Sequence, residues 1–174
     1  MKIFATSREF GIYSEAIIAK ALQGSGITLI RNQDSGPMTE ADFFRLPKDY
    51  TGIIVYSGHD QVTAAVIEHF PGLKIIARHG IGYDAIDVTA ASKRKIIVTN
   101  TQEGAHEERA VSDLAIGLLL ALVRNIFDLS VATKAGKWLR PVSGDLYGKV
   151  LGIVGLGRIV RLTALKAQAF GLKV

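Results

Sequence analysis

The chain has 174 residues, of which 48% are hydrophobic and 21% charged, as expected of a globular protein that buries a core. It contains no cysteine, which excludes disulfide frameworks, cysteine nucleophiles and cysteine-bound metals and leaves a cytoplasmic location as the default. The longest strongly apolar run, Leu114 to Val123, is about half of the ~20 residues that cross a bilayer. We therefore expect neither a signal peptide nor contact with a membrane.

The net charge of +5 is concentrated near the end of the chain. Residues 129–174 carry eight Lys/Arg and a single acidic residue, Asp145, which gives this segment a charge of +7. Such a segment could bind nucleic acid, or it could belong to a domain whose acidic partners lie elsewhere. No basic cluster with interleaved aromatic residues is present. We favour the second interpretation and expect no nucleic-acid partner.

Short runs rich in β-branched residues alternate with helical patterns over the first hundred residues. They are almost continuously apolar, which is typical of parallel strands covered on both faces. This alternation predicts an α/β fold, a flavodoxin-like doubly wound parallel sheet over residues 1–104. The predicted strands are Lys2–Ala5, Ile27–Arg31, Gly52–Ser57, Lys74–Arg78 and Lys95–Asn100.

The segments between these strands have the helical period. A capping box of Thr39 and Asp42 predicts the start of a short helix, and Asp60 is a plausible N-cap for the next one. The predicted helices with full bounds are Ser14–Gln23, Gln61–Phe70 and Asp84–Lys93.

A longer helix is predicted to begin at Glu107. It is apolar on nearly every face, so we expect it to be buried between layers or domains. We interpret it as a connector between two domains, with the boundary near residues 101–106.

Ligands of doubly wound sheets bind at the carboxyl ends of the strands. This rule directs attention to three loops, 57–59, 78–83 and 100–105. In the second loop, Gly80 and Gly82 are spaced one residue apart and expose successive backbone N–H groups that could hold a carboxylate. An ordinary tight turn that needs glycine for its backbone angles explains the same residues equally well.

A second glycine pair follows the predicted strand Val150–Val154 and precedes a helical pattern. Gly155 and Gly157 match the first two glycines of the dinucleotide fingerprint, whereas Val160 stands at the third. The acidic residue that would bind a ribose hydroxyl belongs ~20 residues after the motif begins, at or just past Val174. The segment is typical of the first βα unit of a nucleotide-binding domain, and present nucleotide binding does not follow from it.

Histidine spacing offers no metal site, because no two of the four are related by i, i+4. No serine, histidine and acid can be matched as a triad from spacing. We therefore assign no catalytic residue and no metal ligand. The histidines are His59, His69, His79 and His106.

Three longer runs occur in order along the chain: KIIARHGIGYDAIDVTAASKRKIIVTNT, AVSDLAIGLLLALVRNI and GKWLRPVSGDLYGKVLGIVGLGRI. These runs resemble the D-isomer-specific 2-hydroxyacid dehydrogenases, with the phosphoglycerate dehydrogenase and hydroxypyruvate reductase branches nearest. The resemblance implies a substrate-binding domain over 1–104, then a connector helix and a truncated Rossmann domain over 105–174. It also implies hydride transfer between NAD or NADP and a small 2-hydroxy or 2-oxo acid, in a dimeric enzyme.

The resemblance also implies roles for individual residues. The turn at Gly80, Ile81 and Gly82 contacts the substrate carboxylate, and Ser57 matches a substrate-binding serine. The cofactor pyrophosphate lies against Gly155, Gly157, Arg158 and Ile159.

Two departures from the family pattern affect the expected function. Tyr56 stands where phosphoglycerate-type members have an arginine, which argues against a phosphorylated acid. The family's catalytic arginine, glutamate and histidine match positions beyond Val174, so we expect the chain alone to be inactive. The alternative is a non-catalytic dimerisation or interaction module that pairs through the connector helix.

Overall fold

The structure, a computed structural model, describes residues 1–101 and 107–174. It divides into two compact units, Met1–Gln102 and Glu103–Val174, which we call the N-terminal and C-terminal units. The boundary predicted near residues 101–106 lies mostly outside the described residues, so its placement stays a prediction.

The N-terminal unit contains one parallel sheet. Its strands lie in the order β2-β1-β3-β4-β5, which is the order of flavodoxin-like doubly wound folds, so the predicted fold is confirmed. Each strand falls within its predicted run. The strands are β1 (Lys2–Ala5), β2 (Thr28–Arg31), β3 (Gly52–Val55), β4 (Ile75–Arg78) and β5 (Ile97–Asn100).

Helices connect these strands, and the start of the second one confirms the predicted cap. The Asp42 carboxylate accepts hydrogen bonds from the Thr39 hydroxyl at 2.6 Å and from the Thr39 N–H at 3.0 Å. Both bonds favour the charged carboxylate and lower the pKa of Asp42. The helices are α1 (Glu15–Leu22), α2 (Glu40–Phe44), α3 (Ala64–His69) and α4 (Val88–Lys93).

The predicted cap of α3 is wrong. The helix begins at Ala64, and its N-cap is Thr63, whose hydroxyl accepts from the Val66 N–H. Asp60 is fully buried, and its carboxylate accepts hydrogen bonds from the distant residues Thr6 and Met38 and from the Ser57 N–H. Because these tertiary contacts hold the side chain, it does not cap the residues that follow.

The fourth helix is shorter than predicted. It starts at Val88 instead of Asp84, because the Asp87 carboxylate accepts from the Ala90 N–H at 2.8 Å and caps the chain there. The residues from Asp84 to Asp87 remain in the connection that leaves β4.

The register of the sheet explains where the core lies. Phe4, Ile53 and Ile76 are paired across β1, β3 and β4 and are almost completely buried. They form one cluster with buried side chains of α2 and α3, such as Phe43 and Ile67. One face of the sheet therefore carries the core of this unit.

The opposite face is less covered than predicted. Ile54 and Ile75 are only half-buried, and Ile97 on β5 is 61% exposed. Right-handed crossovers that run in one direction along a sheet place their helices on one face, so α2, α3 and α4 share a side. Only α1, which connects β1 to β2 in the other direction, can lie on the second face. The expectation of coverage on both faces is therefore wrong for β5.

From residue 107 onward, the C-terminal unit consists of three helices and irregular segments. They are α5 (Glu107–Val123), α6 (Ile126–Lys134) and α7 (Arg158–Ala169). A small core is formed by Ile116 of α5, Ala167 of α7, Leu146 and Leu172. The predicted connector helix and the helix after the second glycine pair are confirmed.

The strand predicted at Val150–Val154 does not form. Val150 makes one isolated parallel bridge with Lys173, with the Leu151 N–H donating to the Lys173 carbonyl at 2.7 Å. A strand requires a neighbour along its length, and within the described residues this bridge is the only pairing that the segment makes. Of the predicted βα unit, the structure therefore shows the helix and a single bridge of the sheet.

The connector helix α5 is buried on one side only. Its other side exposes Val111, Leu114, Leu118 and Leu122, with exposed fractions between 49% and 75%. The prediction of a helix buried on all sides is therefore wrong for this chain. In the described part of the chain, no single helix has the length and apolarity of a membrane span. Residues 108–123 and α6 together have that length and apolarity, but the two helices are bent by 66° relative to each other.

Candidate functional site

The topological switch point of the sheet lies between β1 and β3, because the chain proceeds from them in opposite directions. Asp60 connects the ends of both strands. Its Oδ2 accepts from the Thr6 hydroxyl at 2.5 Å and from the Ser57 N–H at 2.9 Å, and its Oδ1 accepts from the Met38 N–H at 2.8 Å. The Thr6 hydroxyl in turn accepts from the Tyr56 N–H. This network fixes the backbone on both sides of Ser57.

The side chain of Arg78 is hydrogen-bonded to the backbone of the loop that follows β4. The guanidinium donates to the Gly82 carbonyl at 2.8 Å and to the carbonyls of Tyr56 and Val55 at 2.6 and 3.1 Å. It also donates to the His79 carbonyl. One side chain therefore joins the end of β3 to both ends of the predicted carboxylate loop.

The end of β5 holds the same loop from the other side. The Thr101 N–H donates to the Gly80 carbonyl at 3.1 Å, and the Asn100 side-chain amide donates to the Ile81 carbonyl at 2.8 Å. The Thr101 hydroxyl accepts from the Gly80 N–H at 2.9 Å. Gly80 therefore contributes backbone shape, since its own N–H is already bonded.

These bonds set the direction of the remaining N–H groups. In a trans peptide, the N–H points opposite to the carbonyl of the preceding residue. Because the carbonyls of Gly80 and Ile81 point to Thr101 and Asn100, the N–H groups of Ile81 and Gly82 point away from β5. Among the described residues neither of these two N–H groups has an acceptor. Two successive N–H groups on the same side of a loop can bind an anion.

Glycine is required at position 80 for two reasons. Its φ is +146°, a conformation that residues with a side chain rarely adopt, and a Cβ there would lie 2.8 Å from Nη2 of Arg78. The sequence left a substrate cradle and a simple tight turn as alternatives. The structure shows a tight turn held by these hydrogen bonds, and its use as a substrate cradle stays a prediction.

Aromatic rings flank the loop. The His79 ring stacks on Tyr56 at 5.0 Å between centroids, with 17° between the planes, and meets the edge of Phe10 at 5.7 Å. A cavity of about 250 Å³ lies beside them, lined in part by Asn100 and Thr101. Ser57, which is half-buried, accepts a hydrogen bond from the His59 N–H.

The second candidate site is the turn before α7. Gly155 has a φ of +88°, and a Cβ added at Gly155 or Gly157 would meet no atom within 4 Å, so the space over the turn is open. In the described residues, the N–H groups of Ile159 and Val160 in the first turn of the helix have no backbone acceptor. An open turn with free N–H groups at a helix start fits a pyrophosphate.

The sequence does not predict the roles of several residues at these sites. The sequence predicts Asp60 as a helix cap and predicts no individual role for Arg78. Thr101 and Asn100 belong to the third predicted loop, so their position at the carboxyl edge was available as a signal. For Asp60 no signal existed, because sequence spacing does not reveal a buried carboxylate with three donors.

Comparisons with known proteins were made over the whole chain. Residues 12–167 match the D-isomer specific 2-hydroxyacid dehydrogenase catalytic domain. The D-3-phosphoglycerate dehydrogenase of Methanocaldococcus jannaschii is 40% identical over 139 residues, which are 79% of this chain and 26% of that protein. The hydroxypyruvate reductase of Thermotoga maritima is 44% identical over 124 residues, 70% of this chain and 40% of that one.

A solved structure agrees in fold. The TT0316 protein from Thermus thermophilus has a TM-score of 0.82 at 29% identity, covering 99% of this chain and 54% of the other. The chain thus spans well under two thirds of the length of each of these proteins. With a match over most of its residues, the chain belongs to the D-isomer specific 2-hydroxyacid dehydrogenase family.

Proposed function

We propose that the chain supplies the acid-binding domain and the first cofactor-binding turn of an NAD(P)-dependent oxidoreductase that interconverts small 2-hydroxy and 2-oxo acids. The observation that carries the proposal is the pair of N–H groups at Ile81 and Gly82. Their orientation is set by the bonds of Asn100 and Thr101 to the loop carbonyls. The membership of the family supports the reaction class.

The residues of the N-terminal unit would bind and orient the acid. A substrate carboxylate would accept from the N–H groups of Ile81 and Gly82, which places C2 above the carboxyl edge of the sheet. Ser57 lies at the neighbouring strand end and would contact the same acid. Preorganised donors of this kind lose little entropy on binding.

The acid is expected to lack a phosphate. Tyr56, at the end of β3, stacks on His79 and offers no positive charge. Arg78 contacts the loop, and its guanidinium is already bonded to backbone carbonyls. The name of the Thermotoga relative, a hydroxypyruvate reductase, supports a small acid without a phosphate.

The cofactor would bind at the turn formed by Gly155, Gly157, Arg158 and Ile159. When bound, its nicotinamide would exchange a hydride with the acid. The first-turn N–H groups of α7 would hold the pyrophosphate, and the absent Cβ atoms at both glycines would let it approach the backbone.

Titration with hydroxypyruvate tests the acid site. In the isotope-labelled chain, we expect saturable amide shifts at Ile81 and Gly82 with millimolar affinity. Hydroxyacetone, which lacks the carboxylate, should leave the chemical shifts of both amides unchanged. Shifts of equal size with hydroxyacetone would refute the assignment.

A second measurement concerns turnover. Because no described histidine ring is hydrogen-bonded to a carboxylate, we expect the chain to reduce hydroxypyruvate with NADH no faster than background.

The exposed side of α5 favours a second candidate function, pairing of two copies of this chain. Val111, Leu114, Leu118 and Leu122 recur at intervals of three and four residues, so they lie along one face of the helix. A contiguous apolar stripe of this kind marks an interaction surface. A two-fold axis would bring the same stripe from each copy together.

Light scattering of the purified chain tests this pairing. The wild type is expected to be a dimer at micromolar concentration, and Leu118→Lys at the centre of the stripe a monomer. Leu165→Lys is the matched control, because Leu165 is 63% exposed on α7, outside the stripe. A monomeric wild type would remove this candidate.

A further inference from the structure

Glu108, in the first turn of α5, contacts the first residue of α7. Its Oε1 lies 3.4 Å from Nε of Arg158. The Glu108 side chain is only 12% exposed, whereas that of Arg158 is 66% exposed. A carboxylate with little water around it is stabilised by a cation at this distance, so Glu108 draws the guanidinium toward α5.

This contact affects the turn described above. Arg158 directly follows Gly157, and the free N–H groups of α7 begin at the next residue, Ile159. An anion bound to those N–H groups would compete with Glu108 for the guanidinium. It would also lie close to the negative charge of Glu108, which water screens only partly at this exposure.

We infer that Glu108 weakens the binding of the dinucleotide pyrophosphate by holding Arg158 and by placing a like charge beside the turn. The inference rests on the proposed cofactor site and adds a residue that sets its affinity. The pyrophosphate binds by drawing the guanidinium of Arg158 away from Glu108.

A second ion pair between the same two helices provides the control. Asp113 of α5 lies 2.6 Å from Nζ of Lys166 in α7. Lys166 is eight residues beyond Arg158, about 12 Å along the helix. That separation exceeds the Debye length of about 8 Å at physiological ionic strength, so the charge of Asp113 should barely reach the turn.

The experiment measures NADH affinity by nicotinamide fluorescence and inorganic pyrophosphate affinity by calorimetry. The variants are Glu108→Gln and Asp113→Asn, with Glu108→Ser as a second way to remove the carboxylate. We expect both Glu108 variants to bind each ligand on the order of tenfold more tightly than the wild type. Asp113→Asn should stay within twofold. Circular dichroism identifies the folded variants that enter the comparison.

The outcomes separate the inference from the proposed function. If the wild type binds NADH and neither folded Glu108 variant binds it more tightly than Asp113→Asn does, the inference fails and the cofactor site stands. If no folded variant binds NADH or pyrophosphate at millimolar concentration, both fail. If only the Glu108 variants bind, both are supported.

Discussion

Replacement of Asp60 with alanine is expected to destabilise the N-terminal unit by about 3–5 kcal/mol, a large part of the 5–15 kcal/mol typical of a domain. The side chain is fully buried and accepts from Thr6, Met38 and Ser57. Alanine would leave the buried Thr6 hydroxyl, the buried Met38 N–H and the partly buried Ser57 N–H without this acceptor, and each unsatisfied buried group costs about 1–3 kcal/mol. Urea unfolding followed by circular dichroism measures the loss.

Two further variants sharpen this prediction. Asp60→Asn keeps one acceptor oxygen and introduces a donor, so its stability should lie between those of the wild type and Asp60→Ala. Asp49→Ala removes a carboxylate that is 62% exposed and pairs with Lys2 at the surface, so it should change the unfolding midpoint very little. If Asp60→Ala and Asp49→Ala have the same midpoint, the role assigned to the buried network is wrong.

Gly80→Ala is expected to cost about 3 kcal/mol and to abolish carboxylate binding. The φ of +146° is strained for alanine, and the new Cβ would lie 2.8 Å from the Arg78 guanidinium. Relief of that contact moves Arg78, which releases the carbonyls of Gly82 and Tyr56. The Ile81 and Gly82 amides should then lose their response to hydroxypyruvate in the same nuclear magnetic resonance titration.

Gly72→Ala is the matched control for this change. Gly72 lies in the turn between α3 and β4, its φ is not positive, and an added Cβ would meet no atom within 4 Å. We expect stability within about 0.5 kcal/mol of the wild type and unchanged titration shifts. Equal effects of the two substitutions would show that position 80 has no special requirement for glycine.

The sheet could be predicted from the sequence because its signals are local. Runs such as Gly52–Ser57 are β-branched and apolar over a strand's length, and glycine or polar residues follow each of them. The capping box of Thr39 and Asp42 is local in the same sense, since both partners lie within one turn. The loop of residues 78–83 could be placed beside the ends of β3 and β5 because the carboxyl ends of parallel strands meet at one edge.

The features that were missed depend on partners distant in sequence. Asp60 resembles a helix cap in its own segment, and only the approach of Thr6 and Met38 makes it a buried acceptor. Val150–Val154 has the composition of a strand, yet a strand forms only beside another. The contact of Glu108 with Arg158 joins two helices fifty residues apart, and no spacing rule predicts it.

The bonds of the carboxylate loop also bear on the order in which the chain folds. Every hydrogen-bond partner described for the loop lies between Val55 and Thr101. Domains that emerge first from the ribosome generally fold first. The loop and its hydrogen bonds can therefore be complete during translation, before the residues of α7 have been added. The loop proposed to bind the acid would then fold independently of the turn proposed to bind the nucleotide. Slow folding of that turn would leave the acid-binding loop intact.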